Sequence, residues 1–439
     1  MLKTLVGAFK NKDIRKKILY TLMILVIVRV GSLLPIPGVD TEYFSSLLSG
    51  INTGDLSYLS AFTGGSFERM SLFALSITPY ITSSIIMQLL AIAIPKLEEM
   101  QKEGEDGRKK IAAITRYVTI ALALIESIAM AVGFGRSGLI KGYQGFSTLH
   151  YIVSIIVVVA ALTAGSAMLM WLGERITENG VGNGISIVLL INIISGMPSD
   201  FATLYSTFVA PRTIAKGVLA AAIIIAILVV MVVLVCFLQD GEGRIPVQYS
   251  QKVSGRKTFG GQSTNIPLKV NTAGVMPVIF ASSLMQFPVI IAQLFGKSYE
   301  WTRYLSSSYW CRISAPKYSI GLILYIVLLI IFAYFYTSIT FNPIEVADNL
   351  KKAGGVIPGI TPGKSTSDYL NNILNYIVFV GAVGLLIIAL IPIMCTGFFN
   401  ASVSFGGTSV IIIVGVVLET LKQIESQMVN RYYKGFLSE

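Results

Sequence analysis

The stretch FNPIEVADNLKKAGGVIPGITPGKS, residues 341–365, is a hydrophilic segment between two long apolar runs, residues 319–340 and 373–394. Proline and glycine punctuate it, and its IEVADNLKK portion predicts a short helix that carries Lys351 and Lys352. It is longer than a simple tether between membrane spans requires, and long loops often carry function. We therefore expect this segment to receive a partner from solution.

The apolar runs on either side predict a membrane protein. Of the 439 residues, 54% are hydrophobic and only 13% are charged, whereas about 25% charged residues are usual in soluble domains. A helix of roughly 20 apolar residues spans the hydrocarbon core. Runs near this length occur at residues 18–34, 74–94, 111–134, 149–172, 185–197, 217–238, 273–295, 319–340, 373–394 and 407–421. We predict an all-α polytopic membrane protein with ten transmembrane helices.

Ten spans divide into two sets of five around a connection at residues 198–212. The N-terminal half is then residues 1–197 and the C-terminal half residues 213–439, with long loops at 239–271 and 341–372 on one side of the membrane. Because five is an odd number, the second set enters the membrane from the opposite side and is inverted relative to the first. Inverted halves are common where two bundles open against each other around a central path.

The basic residues indicate the orientation of the chain. The formal net charge is +11, which would also suit a nucleic-acid partner. If both termini share one side, 23 Lys and Arg residues lie on that side and 9 on the other. Lys and Arg favour the cytoplasmic side. We therefore expect both termini in the cytoplasm, and we attribute the basic excess mainly to membrane topology.

The segment that follows the first span has an unusual pattern. In residues 56–76, Leu56, Leu59 and Phe62 recur at helical spacing, and Gly64-Gly65 interrupts the pattern before the next apolar run. The segment is too short to span the membrane and too apolar to lie wholly in water. Irregular backbone at membrane depth must be buried in protein or line a wet cavity. The residues alone fit a re-entrant element and an external surface helix equally well.

Glycines in GERITENGVGNGIS, residues 173–186, superficially resemble a phosphate-binding loop. No Gly-Lys-Ser/Thr follows, and no predicted strand precedes the glycines, so the context of a nucleotide site is absent. We interpret the segment as a tight turn in which glycine permits positive φ.

The loop at residues 239–271 predicts a projecting finger. Gly255 and Gly260-Gly261 are turn signals, and basic residues alternate with Tyr249 and Phe259. This mixture suits RNA phosphates and bases, and it suits an acidic protein surface equally well. The loop at 341–372 predicts a second basic finger, so we expect a docking platform on this side.

Catalytic and metal-binding patterns are not evident. His150 is the only histidine, the three cysteines are widely separated, and neither HExxH nor GxSxG occurs. We predict neither an enzyme nor a cofactor or metal site.

The central path distinguishes a polypeptide channel from a small-molecule transporter. Transporters place polar or charged groups near the membrane midplane, whereas the candidate path-lining spans offer mostly Ile, Leu and Val. An aliphatic constriction excludes ions by dewetting and can yield around a passing chain. The alternatives are an inverted-repeat secondary transporter and a membrane scaffold without a conduit; any single Ile in these spans is better explained by lipid or core contact.

Seven motifs in order resemble the SecY family, the channel subunits of the bacterial protein-translocation machinery. They are RVGSLLPIPGVD, SLFALSITPYITSSIIMQLL, EGEDGRKKI, MWLGERITENGVGNGISI, GGQSTNIPLKVN, FNPIEVADNLKKAGGVIPGI and FGGTSVIIIVG, and the resemblance extends over nearly the whole chain. The resemblance implies two inverted five-helix halves around a central pore in the bacterial plasma membrane. It also implies that secretory chains cross through this pore and that apolar segments leave it sideways into the lipid bilayer.

The resemblance also assigns residues. It implies a pore gasket of Ile77, Ile81, Ile185, Leu189, Ile279 and Ile412. It implies a re-entrant plug helix at about residues 55–70 that includes Asp55, Leu59, Phe62, Gly64, Gly65 and Arg69. It places the polar residues Gln88 and Asn271 at a lateral gate.

Further implied assignments concern partners. SecE would clamp the halves, SecG would lie at the periphery, and the SecA motor or the ribosome would dock on the fingers, with ribosomal RNA as the only nucleic-acid contact. The docking residues would be Arg244, Lys252, Arg256, Lys257, Lys351, Lys352, Thr361 and Lys364.

Two departures from the family pattern fall in the fingers. Thr361 in PGITPG stands where the family usually has arginine, and Gln251 in YSQK stands where a basic residue is common. Hydrogen bonds to charged groups are about twice as strong as neutral ones. We therefore expect the strength or the mode of docking to differ here, and the channel itself to be unaffected.

Overall fold

The computed structural model describes residues 7, 9–50, 63–134, 148–211, 214–249, 252–254, 257–259, 263–294, 300–312, 316–399 and 407–435. The helices are α1 Lys12–Gly31, α2 Thr41–Gly50, α3 Thr78–Ala93, α4 Pro95–Lys102, α5 Glu105–Phe134, α6 Thr148–Asn179, α7 Gly184–Leu204, α8 Ile214–Asp240, α9 Met276–Leu294, α10 Glu300–Leu305, α11 Ile320–Thr340, α12 Pro343–Lys352, α13 Lys364–Phe399 and α14 Gly407–Gly435. The strands are β1 Glu242–Tyr249, β2 Lys252–Ser254, β3 Lys257–Phe259, β4 Ser263–Lys269 and β5 Gly355–Val356.

Several helices are long and apolar enough to cross a membrane. Within the described ranges these are Glu105–Phe134, Leu149–Asn179, Gly184–Val209, Lys216–Asp240, Pro316–Lys352 and Lys364–Cys395, and α3 with the first residues of α4 forms a seventh, bent candidate. They correspond to seven of the ten expected spans. The other three fall in α1, α9 and α14, which are shorter or carry more charge at one end. The count of ten remains a prediction.

The bend after α3 has a local cause in the sequence. Ile94 is extended, with φ −112° and ψ 111°, and Pro95 begins α4. A residue before proline is driven out of the helical region by the proline ring. The two helices therefore meet at 106°, which directs α4 away from the line of the span.

The predicted connection between the halves is largely helical. Helix α7 continues through Pro198 to Leu204, and a π-helical turn at Tyr205–Val209 extends it further. Residues 198–209 are therefore helical, within the segment 198–212 that the sequence analysis assigns to the connection between the halves. Hydrophobic residues continue through this stretch, and the backbone hydrogen bond that Pro198 cannot donate is a cost that the helix tolerates.

Helix packing brings the two halves together at a common core. Within the first half, α5 packs on α3 and α6, and α7 packs on α6; within the second, α11 packs on α9 and α13. Contacts between halves join α7 to α14 and α5 to α9. One hydrophobic cluster draws buried residues from α1, α6, α7, α8, α9, α11, α13 and α14 and from nearby loops, and residues of α3 pack against it half-buried.

The two predicted fingers are parts of a single unit. Strands β1 and β4 form an antiparallel hairpin, and β2 and β3 form a second hairpin farther along the loop. Strand β5 of the second finger pairs with the other edge of β1, through Gln248 with Val356 and Tyr249 with Gly355. The sequence predicted a hairpin and the short helix α12, and both are confirmed; it gave no sign that the fingers share a sheet.

Candidate functional site

The six predicted gasket residues belong to the same hydrophobic cluster. Ile77, Leu189, Ile279 and Ile412 are buried in it, and Ile81 and Ile185 pack against it half-buried. They come from α3 and its entry, α7, α9 and α14, which are two elements from each half. The cluster can therefore seal the region where the two halves meet.

Local sequence fixes the entry to α7 and with it Ile185. The side chain of Asn183 caps the helix and accepts hydrogen bonds from the backbone N–H of Ile185 at 3.1 Å and of Ser186 at 3.4 Å. Glycine is required next, because a Cβ on Gly184 would lie 1.9 Å from the carbonyl oxygen of Gly173 on α6. Ile185 is thus held at a point where two helices come into backbone contact.

The predicted plug segment is described only from residue 63 onward. Asp55, Leu59 and Phe62 lie outside the described residues. Gly64 and Gly65 have φ of +63° and +79°, and Phe67 and Met70 are buried in a second hydrophobic cluster. The described part is therefore packed inside the protein and is not a helix lying on its surface, although Arg69 is exposed.

Hydrogen bonds anchor this segment to α1 and α7. The carbonyl oxygen of Gly64 accepts from Nη1 of Arg29 at 3.2 Å and from Oγ of Ser195 at 3.4 Å. A Cβ on Gly64 would lie 2.7 Å from the carbonyl oxygen of Asn192. Only glycine fits this close approach and this backbone conformation together.

The two predicted gate residues have separate partners. Gln88 is half-buried and donates to Oγ of Ser84 at 3.3 Å on its own helix. Asn271 is buried and donates to the carbonyl oxygen of Gly274 at 2.9 Å. They are not hydrogen-bonded to each other in the part of the chain that the structure describes.

Most of the predicted docking residues lie on one platform. Arg244 is exposed on β1, Lys351 and Lys352 are exposed in the last turn of α12, and Thr361 and Lys364 are exposed at the entry to α13. The backbones of Lys252 and Lys257 lie in the β2–β3 hairpin, and Arg256 is outside the described residues. The Thr361 hydroxyl is hydrogen-bonded to that of Ser365 at 2.9 Å.

A small core joins the two fingers beneath this platform. Val247 and Leu268 of the first finger are buried against Ala347, Leu350 and Ile357 of the second. The exposed basic residues of both loops are therefore presented by one packed unit. This contact escaped sequence reasoning because β5 is only two residues long and its partner lies more than 100 positions away.

Two polar residues next to the gasket also escaped the sequence analysis. Ser76 precedes Ile77 with a φ of +52°, and its Oγ accepts a hydrogen bond from Nδ2 of Asn192 at 3.1 Å. The signal for Asn192 was present, since it is an isolated amide in the apolar run ISIVLLINIISG. No sequence signal indicated the backbone conformation of Ser76.

Residues 300–319, in the loop between α9 and α11, combine cations with aromatic rings. Arg303 and Arg312 lie 5.8 Å and 5.0 Å from the ring centroid of Tyr309, within the range of cation–π attraction. Hydrogen bonding to Tyr318 raises the pKa of Arg303, and burial raises the pKa of the Cys311 thiol.

Among the described residues, no group of three His, Cys, Asp or Glu side chains could hold a metal ion.

Known proteins resemble this chain over nearly its whole length. The family model described as SecY matches residues 71–421. The protein translocase subunit SecY of Streptomyces galbus is 44% identical over 446 residues, and that of Halalkalibacterium halodurans is 42% identical over 445 residues; both alignments cover 100% of each chain.

Solved structures share the fold at lower identity. A structure described as a protein-conducting channel has a TM-score of 0.62 at 18% identity and covers 94% of this chain and 93% of its own. Sec61 from a canine ribosome–channel complex has a TM-score of 0.59 at 17% identity, with coverage of 94% and 93%.

Proposed function

Because the chain belongs to the SecY family, we propose that it is a protein-conducting channel subunit, which moves unfolded secretory polypeptides across the plasma membrane. It also releases apolar segments sideways into the bilayer. The SecY family is a channel family, so the chain forms a path for polypeptides and catalyses no reaction. The energy for movement comes from its partners and from the membrane potential.

The observation that carries this proposal is the aliphatic cluster between the halves. All six gasket residues lie in or against it, and they come from both halves of the chain. A ring of Ile and Leu forms a hydrophobic constriction that ions do not cross, because water is unstable within it. Flexible aliphatic side chains fit around a passing polypeptide of any sequence, whereas a polar midplane site would select one small solute.

The lateral exit lies between α5 and α9 in this proposal. These helices belong to different halves and are in contact, and Asn271 lies shortly before α9. Movement of the halves that separates them would open the pore to lipid. Gln88 and Asn271 then contribute as separate polar groups near this seam, since each has its own partner.

The finger platform is the docking surface for cytoplasmic partners. Its exposed Lys and Arg residues suit ribosomal RNA phosphates and the acidic surface of a motor protein equally. One structural neighbour is Sec61 from a ribosome–channel complex, which supports the ribosome as a partner in general. We assign SecA and the ribosome to the platform as alternating partners, SecE to a clamp around the halves and SecG to the periphery.

Photocrosslinking tests the conduit directly. A photoreactive residue at Ile81 should form an adduct with a stalled secretory chain in native membranes, and the adduct should disappear when the signal sequence is deleted. The same residue at Ile323, which is 62% exposed on α11, is the control and should react mainly with lipid. A folded, partner-bound protein with no adduct at Ile81 would contradict the proposal and favour a small-molecule transporter.

A further inference from the structure

Ser76 holds a backbone conformation that an L-residue rarely adopts. Its φ is +52°, where Cβ crowds the following carbonyl oxygen and glycine is the usual choice. The residue is 1% exposed, so no water stabilises it from outside. It directly precedes the gasket residue Ile77, so the conformation of Ser76 sets the position of that side chain.

The hydroxyl of Ser76 links this strained point to α7. Its Oγ accepts from Nδ2 of Asn192 at 3.1 Å, and the carbonyl oxygen of Ser76 accepts from Oγ of Ser166 on α6 at 3.5 Å. Asn192 is 2% exposed, and its Oδ1 has no hydrogen-bond partner within the described chain. A buried amide whose oxygen lacks a hydrogen-bond partner lowers stability. This cost argues against the view that Asn192 only fills space in the core.

The same turn of α7 also contacts the predicted plug. Gly64 lies against the carbonyl oxygen of Asn192, and Ser195 donates to the carbonyl oxygen of Gly64. One helical turn therefore touches the plug on one side and the residue before Ile77 on the other. Because both contacts are made by the same helical turn, a shift of this turn that breaks the contact with Gly64 would also change the hydrogen bond to Ser76.

We propose that Asn192 is a positioning residue that latches Ser76, and through it Ile77, to α7 while the plug is seated. This inference rests on the proposed channel function. In the closed channel the hydrogen bond keeps Ile77 in the aliphatic cluster to which Ile185 and Leu189 also belong, and it offsets the backbone cost at Ser76. When the plug moves and Gly64 leaves its contact with Asn192 and Ser195, α7 is free to shift, the bond to Ser76 breaks, and Ile77 moves out of the path.

Breaking the latch should favour the open state without loss of the channel. A neutral hydrogen bond in a protein interior changes an equilibrium by about fivefold, which corresponds to about 1 kcal/mol. Asn192→Ala and Ser76→Ala should therefore each raise the ion conductance of the resting channel about fivefold. The double variant should add little to either single variant, because both remove the same bond.

The experiment uses the complete translocation complex reconstituted in planar bilayers and in proteoliposomes. Resting ion conductance is measured first, and uptake of a secretory precursor with and without its signal sequence is measured second. Ser83→Ala is the matched control, because Ser83 is also buried on the α3 side but bonds Thr119 of α5 instead of α7. Ser76→Gly removes the hydroxyl and the strain together, and it is the variant least prone to misfolding.

The latch predicts higher conductance, signal-independent uptake and non-additivity for the Asn192 and Ser76 variants, with Ser83→Ala unchanged. If the variants transport the normal precursor but match the wild type in conductance and signal dependence, the latch is wrong and the channel function stands. Equal leaks from Ser83→Ala and Ser76→Gly would show general loosening of the core and would also reject the latch. A wild-type complex that takes up no precursor would instead reject the proposed function.

Discussion

At the scale of single residues, Ile279 shows why an aliphatic ring can seal a pore. The side chain is 6% exposed and lies in the cluster between the halves. Ile279→Ser removes most of a burial contribution of about 1.5–3 kcal/mol and adds a hydroxyl that can hold water. We expect ion leakage through the resting channel to rise at least about tenfold, with weaker discrimination between signal sequences.

Planar-bilayer conductance measures this directly, and Ile81→Ser should act in the same direction. Ile323→Ser makes the same chemical change at a position that is 62% exposed on the outer side of α11. It should leave conductance at the wild-type value. Equal conductance of Ile279→Ser and the wild type would remove Ile279 from the gasket.

Thr361 is a second residue at which the chemistry can be tested alone. It is exposed at the entry to α13, and its hydroxyl is hydrogen-bonded to that of Ser365 at 2.9 Å. Thr361→Arg adds a cation to a basic platform, and charge-assisted contacts are about twice as strong as neutral ones. We expect faster motor-driven import of precursors into vesicles.

Thr361→Gln is the matched control, since it adds length and hydrogen-bonding capacity but no charge. Its import rate should stay near that of the wild type. An unchanged or lower rate for Thr361→Arg would indicate that the partner's surface is adapted to the neutral residue.

The limits of sequence reasoning differ from residue to residue. The gasket positions are predicted from long, ordered motifs, and all six lie in or against one hydrophobic cluster. The hydrogen bond between Ser76 and Asn192 could not be assigned, because it depends on a positive φ and on residues 116 positions apart. Long-range polar contacts leave no periodic trace in a sequence.

At the scale of elements, the start of α7 depends on glycine. A Cβ on Gly184 would overlap the carbonyl oxygen of Gly173 at 1.9 Å, whereas a Cβ on Gly196 of the same helix has open space around it. Gly184→Ala must displace α7, at an overpacking cost of about 1–3 kcal/mol. Gly196→Ala should be neutral or slightly stabilising, because alanine is the better helix former.

Thermal unfolding of the purified complex measures this difference. Gly184→Ala should lower the midpoint and raise the resting conductance, because Ile185 moves with the helix start. If both variants unfold and conduct like the wild type, α6 and α7 do not approach each other this closely at Gly184.

The two fingers should lose their order together. Leu350 of α12 is 7% exposed in the core shared with Val247 and Leu268, whereas Ile344 of the same helix is 65% exposed. Leu350→Ala should weaken this core by about 2–5 kcal/mol, although the substitution lies in the second finger only. Ile344→Ala should change stability by less than about 0.5 kcal/mol.

Limited trypsin digestion reports this coupling, because cleavage follows the population of locally opened chain. Cleavage within residues 239–271 should accelerate more than tenfold in Leu350→Ala and remain unchanged in Ile344→Ala. Faster cleavage confined to the second finger would show that the fingers open independently.

The elements also show which parts of the fold are local. The hairpin β1–β4 and helix α12 could be predicted, because turn residues and helical spacing lie within each loop. The pairing of β5 with β1 could not, because two residues carry no strand pattern. The continuation of α7 through Pro198 was not predicted, because proline is usually a helix boundary.

At the scale of the whole molecule, the apolar spans and the charged loops between them together determine the orientation of the chain in the membrane. An excess of Lys and Arg in the loops after even-numbered spans favours their retention in the cytoplasm. That excess includes both fingers, so the orientation decides whether the platform can meet a motor or a ribosome. The loop at residues 300–319 must then face the opposite side.

Single cysteines on the two sides test this orientation in one experiment. In a background in which Cys236, Cys311 and Cys395 are replaced by alanine, Lys317→Cys and Lys351→Cys each place a thiol at an exposed position. A membrane-impermeant maleimide added to intact cells should label Lys317→Cys at once. It should label Lys351→Cys only after the membrane is permeabilised, because the predicted orientation places the finger residues inside.

The native Cys311 provides an independent check on the same side. Burial raises the pKa of its thiol above the ordinary value, so less of the reactive thiolate is present at neutral pH. Labelling of the wild-type chain from outside should therefore be slow and should accelerate as the pH is made mildly alkaline, while Lys317→Cys is already labelled at neutral pH. Labelling of Lys351→Cys in intact cells, with Lys317→Cys protected, would show that the chain has the opposite orientation in the membrane. The platform would then face away from every cytoplasmic partner, and the proposal that partners dock on it would be wrong. The proposed aliphatic gasket does not depend on orientation and would still seal the pore.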